Sequence, residues 1–150
     1  MATEIDKIKS LRDSTGLSLN EIKKALIEAE GDEGRARIVL QELGVKMAAK
    51  KSSRQVKEGV IESYIHNTRK VGSMIILLCE TDFVALNLEF QKLAKDLAMH
   101  VAAMKPGSAE EFLEQAFIRD QDITVKDLVN QHIAKLGENI QIDRFEIFEI

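Results

Sequence analysis

Three histidines, one cysteine and 25 carboxylates are the side chains with which this sequence could do chemistry. Metal binding needs ligands at matched spacing. His66, His100 and His132 stand far apart with no such pairing, so each reads as a surface or satisfied core residue. Nucleophilic catalysis needs a serine or cysteine held beside a base. No serine sits in anything like a nucleophile elbow, and Cys79 closes an apolar run, where it reads as a small buried hydrophobe. A nucleotide site would need a phosphate loop, and no Gly-x-x-x-x-Gly-Lys-Ser/Thr string occurs. The carboxylates fall mostly on helix faces, where solvation accounts for them. The expectation is a protein that is not an enzyme, with neither a metal nor a cofactor of its own.

One stretch still offers something: Cys79-Glu80-Thr81-Asp82-Phe83-Val84-Ala85-Leu86-Asn87, where a strand gives way to a helix. Here an acidic residue and a large aromatic stand side by side. On the local pattern, Asp82 caps the helix and Phe83 enters the core. The alternative is that the turn displays both on a rigid support, since strand-to-helix turns are common places to mount a functional side chain.

The elements that must position this turn can be read in order. Residues 1–45 read as three short helices. Ile5, Ile8 and Leu11 mark the first, with Gly16 suited to the turn beyond it. Ser18 and Glu21 form a capping box for the second, and Asp32 caps a third that Gly44 closes. Such a bundle is similar to a ubiquitin-associated-type module, a binding unit. Residues 46–57 carry Lys46, Lys50, Lys51, Arg54 and Lys57 among small residues and read as a solvated linker helix, because no aromatics are interleaved to stack on bases. From residue 58 the pattern changes to a small core. Gly59–His66 and Val71–Cys79 predict an antiparallel hairpin across a short polar break.

A long helix follows with Leu88, Leu93, Leu97, Val101 and Met104 along it, opened by Asn87 and stopped by Pro106-Gly107. Ser108 with Glu111 and Thr124 with Asp127 open two further helices, the second ending at Gly137. In the last segment Ile140 and Ile142 share one face while Phe145 and Ile147 share the other. That change of phase predicts a bulge near Asp143 and Arg144, or burial of both faces. The fold class is therefore α+β: an N-terminal three-helix module (1–45), a basic linker (46–57), and a core (58–150) with a three-stranded antiparallel sheet packed by helices.

Composition narrows the partners. The chain is 45% hydrophobic and 31% charged, a folded rather than disordered balance, and its net charge of −4 gives no general attraction to nucleic acid or anionic membrane. No apolar run approaches the roughly 20 residues needed to span a bilayer. The start, Met1-Ala2-Thr3-Glu4-Ile5-Asp6, has neither the basic residues nor the apolar centre of a signal peptide, so a cytoplasmic location is expected.

Four segments, in order, resemble the elongation factor Ts family. Leu11-Arg12-Asp13-Ser14-Thr15-Gly16 with Lys23-Lys24-Ala25-Leu26 resembles its N-terminal module, and Ala48-Ala49-Lys50-Lys51 its linker. Cys79-Glu80-Thr81-Asp82-Phe83-Val84 resembles the core signature, and Ile133-Ala134-Lys135-Leu136-Gly137-Glu138-Asn139-Ile140 the approach to the closing strand. The resemblance extends over nearly the whole chain. It implies a guanine-nucleotide exchange factor acting in protein biosynthesis on elongation factor Tu, with Thr81, Asp82, Phe83 and Val84 pressed toward the partner's Mg²⁺ and phosphate site. It also implies contacts from the N-terminal module at Arg12, Leu19, Asn20 and Lys23, and a possible one at His100.

Two departures stand out. The family often has two methionines where this chain has Leu19 and Asn20, and the segment between Pro106 and the final helix is short even for compact members. Long members carry a second core; a homodimer joined through a free sheet edge would replace it here. Two other readings compete. One is a ubiquitin-associated-type adaptor without exchange activity, and the other a small enzyme with a cleft built from His100, Asp82 and Glu80.

Overall fold

The computed structural model describes residues 1–150. At the N-terminus, α1 (Glu4–Thr15), α2 (Leu19–Glu28) and α3 (Glu33–Lys51) each start at a residue whose side-chain oxygen accepts a backbone N–H: Thr3, Ser18 and Asp32. Thr3 with Asp6, and Ser18 with Glu21, close complete capping boxes. Gly16 ends α1 in the left-handed conformation, φ 66°, as a glycine there can at little cost. Leu11, Leu17, Ile22, Ala25, Leu26, Ala29, Ala36 and Leu40 meet in a small core that borrows Ala134 from a helix far along the chain.

Gly44 does not close the third helix. It lies buried in the middle of α3, opposite Ala134, and the helix continues to Lys51. The expected boundary between residues 45 and 46 thus falls inside one continuous helix, and only residues 52–57 leave it for a turn and an extended segment. A glycine in a helix interior costs only about 1 kcal/mol against alanine, which packing on both sides readily outweighs.

The remainder is built on β1 (Glu58–Ile65), β2 (Val71–Cys79) and a last strand, β5 (Gln141–Glu149), in the order β1-β2-β5, all antiparallel with β2 in the centre. The expected bulge is present: Ile76 pairs with Arg144 and Leu77 with Ile142, leaving Asp143 unopposed. That extra residue restores the phase, so Ile142, Phe145 and Ile147 all face the core. A one-turn helix, α4 (Asp82–Ala85), leads into α5 (Leu88–Met104), and α5 covers the inner face of the sheet with Phe90, Leu93, Ala94, Leu97, Ala98 and Val101. Leu88, expected on the buried stripe, points outward instead, and Phe90 takes the buried position. Lys105 ends α5 in the left-handed conformation just before Pro106.

After α6 (Ala109–Glu114), capped by Ser108, comes a small hairpin that the sequence pattern does not announce, β3 (Ala116–Phe117) and β4 (Asp120–Thr124). Then α7 (Val125–Leu136) runs from the Thr124–Asp127 box to Gly137. It packs on both α3 and the core, supplying Ile133 to the large cluster and Ala134 to the small one. No helix is long and apolar enough to cross a membrane.

Candidate partner-binding site

β2 ends at Cys79, and the chain must turn sharply to enter α4. Thr81, not Asp82, is the helix cap: its hydroxyl oxygen accepts the Val84 N–H at 3.4 Å. The same hydroxyl donates to Glu138 Oε2 at 2.6 Å. Glu138 Oε1 accepts the backbone N–H groups of Glu80 (3.1 Å) and Thr81 (3.0 Å), so one carboxylate holds three donors of the turn. Reciprocally, Glu80 Oε2 accepts the Asn139 N–H at 2.7 Å and lies 3.6 Å from Arg54 Nη1. Buried Asn139 donates its side-chain N–H to the carbonyls of Arg54 (2.9 Å) and Ser52 (3.5 Å), just beyond α3. Three segments distant in sequence therefore converge on the turn.

The side chains of the turn divide accordingly. Thr81 and half-buried Val84 root it, and Ala85 is buried beneath. Asp82 and Phe83 point into solvent, with Phe83 85% exposed. Phe83 does not enter the core. Leu86 (73%) and Leu88 (81%) are exposed close by in the chain, giving three large apolar side chains outside within one short segment. Isolated exposed apolar residues need no explanation; several within one short segment make it the candidate interaction site.

Cys79 plays no part in chemistry here. Its thiol is buried and donates to the Thr81 carbonyl, and burial, aided by nearby Glu138, pushes its pKa up to about 11. A thiol that rarely ionises is inert.

Arg12, Leu19, Asn20 and Lys23 lie exposed around the turn from α1 into α2. That turn is docked on the core: the aliphatic part of Lys135 crosses the face of Gly16, and Lys135 Nζ reaches Glu89 Oε2 at 3.5 Å. Glu89 follows Leu88 directly, so this chain of contacts connects the module's turn to the segment that carries the exposed leucines.

His100 does not join either group. It is wholly buried, with its ring stacked on Phe112 (5.5 Å) and Phe117 (6.0 Å). Nδ1 accepts the Ile118 N–H at 3.1 Å, which leaves Nε2 to donate to Gln115 Oε1 at 2.9 Å. Both nitrogens are engaged and the ring is unexposed, so in this structure His100 packs as a core residue, and burial holds its pKa below the usual value. The cleft imagined from His100, Asp82 and Glu80 does not form, because His100 is sealed among phenylalanines and Glu80 is bound to Asn139.

Glu138, Asn139 and Arg54 escaped the sequence reading as members of this site. The only local signal was a carboxylate and an amide directly after the glycine that ends α7, and what they bind lies far away in the chain.

The molecule is thus a docked helical module on a single α+β core, a protein that displays an exposed phenylalanine on a polar-clamped turn. Known proteins place it further. The family model described as Elongation factor TS matches residues 80–150. The chain is 37% identical to elongation factor Ts of Desulfotalea psychrophila, covering 100% of this chain and 99% of that protein. It is 38% identical to the Herpetosiphon aurantiacus protein of the same name (100% and 98%) and 40% identical to the chloroplastic elongation factor Ts of Porphyra purpurea (94% and 85%). The chain belongs to the elongation factor Ts family and is a translation elongation factor. The first two alignments extend over 195 positions against 150 residues here, so those relatives carry residues where this chain has none.

Proposed function

We propose that the chain accelerates loss of GDP from elongation factor Tu by pressing the Thr81–Val84 turn against the partner's Mg²⁺ and phosphate site. The observation that carries this reading is Phe83, 85% exposed on a turn whose backbone is fixed by Glu138. Mg²⁺ demands near-ideal octahedral geometry, so a small displacement of its surroundings by a rigid aromatic is costly to the bound nucleotide. No covalent step is involved. If the factor weakens GDP binding, GDP weakens factor binding by the same ratio.

Residues 1–45 act in this reading as a second contact, through Arg12, Leu19, Asn20 and Lys23. Residues 46–57 join them to the exchange core, 58–150. The docking of Gly16 against Lys135 supports a fixed geometry between the two. The adaptor reading leaves the exposed Phe83 without a task.

The test is release of labelled GDP from purified elongation factor Tu. The wild-type chain should speed it, and Phe83→Ala should remove most of the acceleration. Equal acceleration by both would overturn the wedge role, and none from the wild type would overturn exchange itself.

We infer further that a second copy of the chain covers the open face of the sheet, rather than pairing along a free sheet edge. Ile61, Ile65, Met74 and Phe148 are exposed there, more than a monomer normally leaves to water. On β5 of the same face, Arg144 and Glu146 could pair reciprocally across a two-fold axis. Sedimentation should give a species of twice the chain mass; a monomer at high concentration would remove the dimer.

A further inference from the structure

The carboxylate of Glu138 accepts three hydrogen bonds from the turn: Glu80 N–H, Thr81 N–H and Thr81 O–H, at 3.1, 3.0 and 2.6 Å. We propose that Glu138 is the positioning residue of the exchange turn, and that the rigidity of its clamp decides how effectively Phe83 acts. This rests on the exchange function proposed above.

The physical argument starts from what else holds Phe83 in place. Its side chain is almost wholly exposed and contributes nothing to its own placement. α4 is a single turn of four residues, too short to be stable alone. Beneath it, Val84 and Ala85 provide an apolar foot. The backbone N–H groups of Glu80 and Thr81, where the turn leaves the sheet, both end on Glu138, while the Cys79 thiol and Gln91 amide reach only the carbonyls of Thr81 and Ala85. The geometry is cooperative, because Thr81 Oγ donates a hydrogen bond to Glu138 while its lone pair accepts the Val84 N–H, and so caps α4.

The clamp is also braced from behind. Glu138 follows Gly137, which ends α7 in the left-handed conformation. The next residue, Asn139, takes Glu80 through its backbone N–H and reaches the carbonyls after α3 with its side chain. A force on Phe83 is thus carried into α7 and the end of α3 rather than absorbed by a loose loop. A wedge works only if its support yields less than the site it enters. A misplacement of about 1 Å in a positioned group can cost on the order of 100-fold in rate.

Glutamine can keep the two backbone bonds and reverses only the one to Thr81 Oγ, whereas alanine keeps none. The amide oxygen of Glu138→Gln accepts the two backbone N–H groups, and its NH₂ donates to Thr81 Oγ. Glu138→Ala leaves all three donors unpartnered.

The experiment has two arms, both on the full-length chain. In the free protein, amide hydrogen exchange is followed by NMR. Glu138→Ala should speed exchange at Glu80, Thr81 and Val84 by about tenfold or more, roughly 1.4 kcal/mol of local opening. Amides within β2 should not change, and Glu138→Gln should stay close to wild type.

With elongation factor Tu, labelled-GDP release is measured against chain concentration. Glu138→Ala should lower the saturating rate by about 10- to 100-fold while the half-saturating concentration moves less than about threefold, and Glu138→Gln should restore most of the rate. Unchanged amide exchange in Glu138→Ala would overturn the clamp. A loosened turn with an undiminished saturating rate would overturn its positioning role. So would a loss confined to the half-saturating concentration. A wild-type chain that fails to release GDP would remove the exchange reading and the role of Glu138 within it, while the free-protein arm still reports on the clamp.

Discussion

Phe83 and Phe90 stand on either side of a single helix start, and the fold treats them oppositely: 85% exposed and 0% exposed. Residue type does not separate them. What differs is how each backbone is held. Phe90 belongs to the inner stripe of α5, whose position depends on side chains packing against β2 and α7. The turn carrying Phe83 is held by polar bonds between its backbone and Glu138, so its apolar side chains are free for another surface. One region uses its hydrophobic residues to fold; the other is held by hydrogen bonds and keeps them outside.

The largest expected effect tests the buried side of that contrast. Phe90→Ala removes a fully buried ring and should cost about 3–5 kcal/mol, close to the entire stability of a modest domain. Urea denaturation of the purified variant would measure it. A cost near zero would show that α5 is not held by its inner stripe.

A smaller loss is expected where the module docks. Gly16 has φ 66°, and a Cβ there would collide with Lys135 Cγ. Gly16→Ala must adopt a left-handed conformation, costing about 1–2 kcal/mol, and must also displace Lys135 from Glu89. Denaturation midpoints give the cost. The contrast predicts that the displayed turn, anchored elsewhere, keeps its amide protection in this variant.

Acidification probes the core by another route. His100 and His132 are both held below the ordinary histidine pKa, chiefly by burial, with His132 Nδ1 donating to the Leu128 carbonyl at 2.8 Å. Their folded-state values are depressed, so below the unfolded value of about 6.5 the unfolded chain binds more protons than the native one. Stability from these groups is complete above that pH and declines as pH falls from about 6.5 toward the depressed native values. Melting temperatures from pH 7.5 down to 5 should fall, and less steeply in His100→Gln.

Much of this architecture was legible because the signals are local. Capping pairs at Ser18 and Glu21 or Thr124 and Asp127 lie three positions apart, and a change of hydrophobic phase near Asp143 announces its own bulge. Gly44 misled because a helix stop and a buried helix interior offer the same residue, and only packing against α7 distinguishes them. Strands β3 and β4 were missed since Ala116–Phe117 is too short to show alternation. At the site, Phe83 and Thr81 could be picked out, but the cap fell to Thr81 rather than Asp82. His100 also resembled a family segment facing the partner, while its position on α5 buries it. Glu138 could not be found from sequence, because a carboxylate that binds backbone N–H groups carries no pattern linking it to the segment it holds.

The smallest expected effect tests the displayed side. Phe83→Ala removes a ring that touches mainly water, so its stability cost should stay under about 1 kcal/mol, as surface substitutions usually do. Leu88→Ala, equally exposed, should be indistinguishable from wild type within about 0.5 kcal/mol. Calorimetric melting of both variants beside Phe90→Ala supplies the comparison in one series. If Phe83→Ala melts nearly as early as Phe90→Ala, the ring is buried in solution and the turn is held by packing after all. If both exposed variants melt with the wild type, the fold does not depend on these side chains, and their exposure is left to be explained by what they touch. A second copy of this chain covering them would appear in the same scans as a melting temperature that rises with protein concentration in the wild type and not in Leu88→Ala. Melting with the same concentration dependence in both, as a dimer through the sheet face gives, leaves the turn free for a different partner, as the exchange reading requires.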